Sequence, residues 1–345
     1  MDLKRIFLIL ILTFSFVVLF MPIIKEIAIH IGAMDIPNGR KVHNKPIPRL
    51  GGLGIYSGFL LGYVIFGYQS IQMNSVLIGS FIILITGIID DIKPIRARHK
   101  LIGQIIAASV IPLFGNIVLR DISAFGIYIN FGVLSYPITI LFIVAIINCL
   151  NLIDGLDGLA GGIAAIYFAM IGVIAIILNN SSGLDTILTF IMLGCTLGFL
   201  VHNFNPASIF MGDSGSMFLG YIISVIALLG YKNVTFTSLI VPVFLLAIPI
   251  VDMLLAIIRR VKNHESIATP DKLHLHHRLL KLNTSVRKTV LIIYFIDILF
   301  AIASLIYVLS DRVSGIIIYV ILLILVLLFL YKTNTIYNKN EGGKK

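Results

Sequence analysis

Asp90 and Asp91 stand side by side at the end of a long apolar run, and Lys93, Arg96, Arg98 and Lys100 follow closely. Adjacent carboxylates repel each other, and the negative end of a helix dipole adds to the cost. Cations must offset that cost, either the basic run itself or a metal ion. A solvated helix cap facing basic residues is the plain alternative. Acidic residues at membrane depth are otherwise usually functional, as metal or proton sites.

A second group, Asn148, Asn151, Asp154 and Asp157, recurs every three residues. On a helix this spacing makes one slowly drifting polar stripe. Gly155, Gly158, Gly161 and Gly162 run alongside it and would let a ligand or a neighbouring helix approach the backbone. A helix-packing face with polar glue would account for the glycines but not for two carboxylates. A third group, Met211 to Ser216, reads MGDSGS and precedes another apolar run. A helix starting there would offer free N–H groups to a phosphate. Asp213 could hold a divalent ion, while Ser214 or Ser216 could equally be an ordinary N-cap.

The run 269–280, TPDKLHLHHRLL, predicts a short helix capped by Thr269 with Pro270 as its first residue. His274, His277, Arg278 and Lys281 would share one face, and such a helix could lie on the membrane surface. Headgroup anchoring alone is the plain reading. A zinc site from His274, His276 and His277 is weaker without an accompanying Cys, and binding of a diphosphate suits the company better. The segment 43–52, HNKPIPRLGG, offers His43, Lys45 and Arg49 as substrate-binding groups or as simple positive anchors. Asp252 lies within reach of Arg259 or Arg260 along its helix. Asp297 sits deep in an apolar run with no assigned role.

The elements that must position these groups follow from composition. Of the 345 residues, 59% are hydrophobic and 12% charged, against about 25% charged in soluble domains. The bilayer is then the solvent, and each span must satisfy its own backbone, as helices or a closed barrel do. Apolar runs of roughly 17–22 residues fit helices rather than barrel strands of about ten. The expected fold is therefore an all-α polytopic bundle of 10–11 helices, forming one domain over 1–345 with a basic tail at 333–345. The spans are expected at 6–24, 51–68, 74–90, 101–118, 132–150, 159–178, 186–202, 216–231, 236–256, 289–309 and 314–331. The first apolar run resembles a signal peptide, but it is too long and no small-x-small cleavage site follows it. Cys149 and Cys195 lie in apolar segments and read as packing residues.

The net charge of +10 sits in short loops, so the positive-inside rule explains it without nucleic acid. With the N-terminus outside, only Lys4, Arg5, Arg120, Lys232 and Arg312 of the 26 Lys and Arg remain outside. Lys4 and Arg5 pull the other way, and the larger downstream excess outweighs them. In this orientation all five polar clusters face the cytoplasm. The even-numbered spans then turn their positive dipole ends to the same face, which suits a metal-bound diphosphate.

Together these clusters resemble the polyprenyl-phosphate N-acetylhexosamine-1-phosphate transferases over about residues 30–310. PIPRLGG and HLHHRLL look like the WecA/TagO type, while the TPTMGG-like run of the peptidoglycan branch, MraY, is absent. The resemblance implies transfer of N-acetylglucosamine-1-phosphate from UDP-GlcNAc to undecaprenyl phosphate at a bacterial cytoplasmic membrane, as the first membrane step of an envelope polysaccharide. It implies Mg2+, with Mn2+ as a substitute, held by Asp213 and Asn151. It implies catalytic roles for Asp90, Asp91, Asp154, Asp157 and His274. Substrate contacts would come from Lys45, Arg49, Asn148, Asp154, His276, His277 and Arg278. The lipid phosphate is already mostly dianionic at pH 7, its second pKa lying near 6, so a base at Asp90 would add little. A homodimer is an allowed assembly. Another UDP-N-acetylhexosamine or UDP-MurNAc-pentapeptide would use the same chemistry. A transporter would place its polar site near the midplane. A CDP-alcohol phosphotransferase would need an Arg soon after the first Asp-Gly and further Asp on the same helix, and the run 154–168 supplies neither.

Overall fold

The computed structural model describes residues 2–37, 45–124, 127–178, 183–232, 239–264, 266, 274–282 and 284–332. His43, Thr269, Pro270 and the tail 333–345 lie outside the described residues. The chain divides into two compact units, Met1–Ile240 and Val241–Lys345.

The first unit is a bundle of α1 (Leu3–His30), α2 (Gly51–Phe66), α3 (Ile71–Ile92), α4 (Ala97–Phe114), α5 (Ser135–Ile153), α6 (Leu159–Ile177), α7 (Leu184–Asn203) and α8 (Gly212–Lys232). The second carries α9 (Ile240–Leu245), α10 (Ala247–Lys262), α11 (Leu275–Lys281), α12 (Val286–Leu309) and α13 (Arg312–Lys332). Among the described residues eight helices are long and apolar enough to cross a bilayer: α1, α3, α5, α6, α7, α8, α12 and α13. This is the all-α, multi-pass membrane architecture expected from the apolar runs. The expected spans at 51–68 and 101–118 correspond to the 16-residue α2 and to α4, whose first turn carries Arg98 and Lys100.

The expected span at 236–256 is not one helix. It is broken at Leu246 into α9 and α10. Pro249 is the physical reason: a proline ring clashes with the carbonyl four residues earlier and removes one backbone donor. That carbonyl belongs to Leu245, the last residue of α9.

In the first unit α8 is the axis. It packs against α2, α3 and α5, and 94% of its apolar window is buried. Small residues permit the approach. A Cβ on Gly52 would meet the backbone of Gly215, one on Gly87 the backbone of Ser214, and one on Gly220 the backbone of Ile147. The contact atoms are main chain and cannot rotate away. Gly87→Ala is therefore expected to cost about 1–3 kcal/mol through overpacking, read as a lowered melting temperature in detergent.

Two short ribbons interrupt the helices. Strand β1 (Met34–Asp35) pairs antiparallel with β2 (Ile47–Pro48), and β3 (Asp121–Ala124) with β4 (Ile127–Asn130). Beyond β2 the chain also pairs with the segment entering α8. Phe210 N–H donates to Pro48 O, Gly51 N–H to Phe210 O, and Gly52 N–H to Met211 O. Those bonds fix the entry to α2 beside the entry to α8.

Candidate active site

The ends of α3, α5 and α7 and the starts of α2, α4, α6 and α8 meet at one end of the first unit. Hydrogen bonds among their side chains and main chains show this.

Asp91 is sealed within that end. Its side chain is 0% exposed. Oδ1 accepts from Asp213 N–H at 2.8 Å, and Oδ2 accepts from Ser214 N–H at 3.0 Å and from Ser214 Oγ at 2.6 Å. The carboxylate of α3 thus caps α8, and the helix dipole favours an anion there. Gly212 makes this possible, since its φ of +72° suits glycine and a Cβ would run into the Asp91 carboxylate. The expectation that the first N–H groups of α8 are free for a phosphate therefore fails for Asp213 and Ser214, because Asp91 takes both. Ser214 is bonded to Asp91 and is no local N-cap.

Arg49 closes the other side of Asp91. Its Nε donates to Asp91 Oδ1 at 3.2 Å, and its guanidinium lies 3.4 Å from Asp35 Oδ1. Burial opposes the charge, but the carboxylates of Asp91, Asp213, Asp35 and Asp90 outweigh it and hold the guanidinium protonated. Arg49 thus braces the cap. Lys45 is exposed.

Asp213 is the more exposed of the two carboxylates at Lys100, its side chain being 19% exposed against 10% for Asp90. Oδ2 accepts from Lys100 Nζ at 2.6 Å, and Oδ1 accepts from Asn151 Nδ2 at 2.7 Å. Asn151 Nδ2 also donates to Ser216 Oγ at 2.9 Å, while its Oδ1 accepts from Lys100 Nζ at 3.2 Å. Asp90 Oδ2 lies 3.5 Å from the same ammonium, and its Oδ1 accepts from Ile95 N–H at 2.7 Å. Lys100 is thus a cation among oxygens from α3, α5 and α8. Reading the sequence counted it only among the basic residues offsetting Asp90 and Asp91. Lys100 shares the first turn of α4 with Arg98 and His99, so the sequence holds no signal that singles it out.

The every-third-residue stripe does not act as one surface. Helix α5 ends at Ile153, so only Asn148 and Asn151 lie on it. Asn148 points to Gln104 and not to Asp213: its Nδ2 donates to Gln104 Oε1 at 2.8 Å. Asp154 is the C-cap residue of α5. Burial, and after it the charges of Asp213, Asp91 and Asp157, push its carboxyl up to about 8, against the opposing pull of Arg49. Asp157 lies in the following loop, where its Oδ2 accepts from Asn205 Nδ2 at 2.9 Å and from Ala207 N–H at 3.1 Å. Asn203 completes this clasp, its Oδ1 accepting from Gly158 N–H and its Nδ2 donating to Ile209 O. Asp157 therefore holds a loop in place. Asp157→Ala is expected to cost about 1–3 kcal/mol by stranding those donors, with amide exchange at Asn205, Ala207 and Ser208 accelerating ahead of the helices.

The histidine cluster lies in the second unit. His274 Nδ1 pairs with Asp252 Oδ2 at 2.8 Å, and Leu275 N–H donates to Asp252 Oδ1 at 3.0 Å. Asp252 thus pairs with His274, where the sequence suggested Arg259 or Arg260. It also anchors the first turn of α11, which starts at Leu275 with His274 as its N-cap residue. His274 therefore stands outside α11, while the expected start at Thr269 and Pro270 lies outside the described residues. His276 is buried, and that burial, with His277 beside it, pushes its imidazole down to about 3, leaving it neutral. His277 and Arg278 are half-buried.

Comparison with known proteins adds to this geometry. The family model for glycosyl transferase family 4 matches residues 73–231, which take in Asp90, Lys100, Asn151 and Asp213. The chain is 40% identical over 293 residues to the probable undecaprenyl-phosphate N-acetylglucosaminyl 1-phosphate transferase of Bacillus subtilis, covering 84% of this chain and 81% of that one. It is 34% identical to the decaprenyl-phosphate N-acetylglucosaminephosphotransferase of Mycolicibacterium smegmatis, covering 79% and 74%. It is 29% identical to the undecaprenyl-phosphate alpha-N-acetylglucosaminyl 1-phosphate transferase of Escherichia coli O157:H7, covering 82% and 79%. On identity of this extent, the chain belongs to glycosyl transferase family 4.

Proposed function

We propose that this chain transfers N-acetylglucosamine-1-phosphate from UDP-N-acetylglucosamine to undecaprenyl phosphate and releases UMP. What carries the reading is Asp213, with Lys100, Asn151 and Asp90 around it, in a chain so similar to a protein named for that activity. A lipid-phosphate oxygen forms a bond to the β-phosphorus of the UDP-sugar, the bond from that phosphorus to the bridging oxygen breaks, and UMP leaves with the electron pair.

Among the described residues no three His, Cys, Asp or Glu are grouped to hold a metal ion. The oxygens of Asp213, Asn151 and Asp90 nevertheless surround the ammonium of Lys100, so the position accepts a cation. Magnesium typically takes one or two carboxylates and completes its shell with water and substrate phosphate, which this donor set fits. Asp213 would hold it, with Asn151 beside it. When bound, such an ion neutralises charge on the reacting phosphates. Lys100 and Arg49 supply the fixed positive charge of this end of the bundle. Burial first, and then the neighbouring carboxylates, raise the Asp154 carboxyl to about 8. Asp90, bound at Ile95 N–H and near Lys100, holds the start of α4 in place.

The distribution of Lys and Arg supports the cytoplasmic face of a bacterial plasma membrane as the place of reaction. Gathering of Asp90, Asp91, Lys100, Asn151 and Asp213 at one end of the first unit's bundle disfavours a transporter with a midplane site. The test is to incubate the purified protein with undecaprenyl phosphate, Mg2+ and a panel of UDP-sugars and to follow UMP. Release with UDP-N-acetylglucosamine is expected. Release only with another sugar would reassign the donor, and release with none would overturn the reading.

A further inference from the structure

Gln104 lies one helical turn beyond Lys100 on α4, and Asn148 lies one turn before Asn151 on α5. Residues so spaced share a helix face. The two faces meet in two rungs. In the outer rung Lys100 Nζ donates to Asn151 Oδ1 at 3.2 Å. In the inner rung the two carboxamides pair head to tail. Asn148 Nδ2 donates to Gln104 Oε1 at 2.8 Å, and Gln104 Nε2 donates to Asn148 Oδ1 at 3.4 Å. Asn148 Nδ2 also donates to Val144 O at 2.8 Å, and Gln104 Nε2 meets Met217 Sδ of α8 at 3.4 Å. Gln104 is fully buried.

We propose that Gln104 and Asn148 form a positioning clasp that sets the α4–α5 separation and thereby places Lys100 Nζ between Asp213, Asn151 and Asp90. The pair is neutral, so it holds two helices together in a low-dielectric interior without the desolvation cost of an ion pair. Loss of Asn148 takes from the buried Gln104 its carboxamide partner, which is costly in an interior, and loss of Gln104 leaves Asn148 Nδ2 with Val144 O alone. The outer rung alone cannot fix the spacing, because the lysine stem is long and flexible. The reaction is sensitive to this placement, since a misplacement of about 1 Å can cost on the order of 100-fold in rate. Asn148 is accordingly a residue that orients the site from within and does not touch substrate.

The proposal rests on the transferase reading above, and the experiment separates the two. Gln104→Leu, Asn148→Leu, Gln104→Asn, Asn148→Gln and the double swap Gln104→Asn/Asn148→Gln are purified. Each is measured for kcat and KM in the UMP assay and for thermal unfolding. The swap keeps the summed side-chain length and both donor–acceptor pairs. Each single variant is expected to lose roughly 10–100-fold in kcat, with KM for the UDP-sugar within about threefold of wild type. The swap is expected to return kcat to within about fivefold of wild type, and the unfolding midpoints are expected to be non-additive in the same sense. Singles with wild-type kcat, or a swap as slow as the sum of its singles, would overturn the clasp. A wild-type protein that releases no UMP would overturn the transferase reading alone. The unfolding cycle needs no turnover, so additive midpoints would then still overturn the clasp and non-additive ones would uphold its structural half.

Discussion

Asp213→Ala is expected to lower UMP release by at least about 100-fold, the scale of losing one preorganised electrostatic contact in an active site, while the fold survives. The side chain is more exposed than that of Asp90 beside it and is held by Lys100 and Asn151. Its removal leaves the Asp213 and Ser214 N–H groups on Asp91, because those bonds use the backbone. Lys100 keeps Asp90 at 3.5 Å and Asn151 at 3.2 Å. The melting temperature should therefore move little, as for most substitutions away from a sealed core. Asp213→Asn keeps the shape and removes the charge, and it should be nearly as slow. Near-normal turnover of either variant would remove Asp213 from the chemistry.

Asp91→Ala is the opposite case, with a large loss of stability. One carboxylate accepts from Asp213 N–H, Ser214 N–H, Ser214 Oγ and Arg49 Nε. Alanine strands the first donors of α8 and leaves Arg49 with Asp35 at 3.4 Å. Breaking a buried charge pair from one side costs about 3–5 kcal/mol. A lowered unfolding midpoint is the primary readout, and lost turnover follows from the displaced α8. Asp91→Asn recovers only part, since its amide nitrogen cannot accept from an N–H. An unchanged midpoint for Asp91→Ala would show that the α8 cap is dispensable.

The two adjacent aspartates therefore carry different work, and that division was invisible in the residue string. Asp90 and Asp91 are chemically identical there, and helical rotation by one residue separates them: Asp91 turns onto α8, and Asp90 turns toward Ile95 and Lys100. The long spans were legible because apolar length alone specifies a membrane helix. The break at Leu246 was legible in principle from Pro249. The stripe of Asn148, Asn151, Asp154 and Asp157 misled because its period is helical while the helix ends at Ile153. Gly155 and Gly158 were the warning, and Gly158 takes a left-handed φ of +81°. Gln104 was missed because a single amide in an apolar helix has no partner in sequence, and its partner lies 44 positions away.

The contrast between α8 and α13 bears on how the protein is made. The α8 window is 94% buried and the least apolar of the eight candidate spans, whereas that of α13 is 11% buried and the most apolar. A helix facing lipid must partition by its own side chains, but one surrounded by protein can be retained by helices already in place. The helices α2, α3 and α5, against which α8 packs, all precede it in the chain. They are in the bilayer when α8 leaves the ribosome, so insertion and assembly are one event for α8. A truncated chain beginning at α6 would deprive α8 of those partners and leave the least apolar span with α6 and α7 alone.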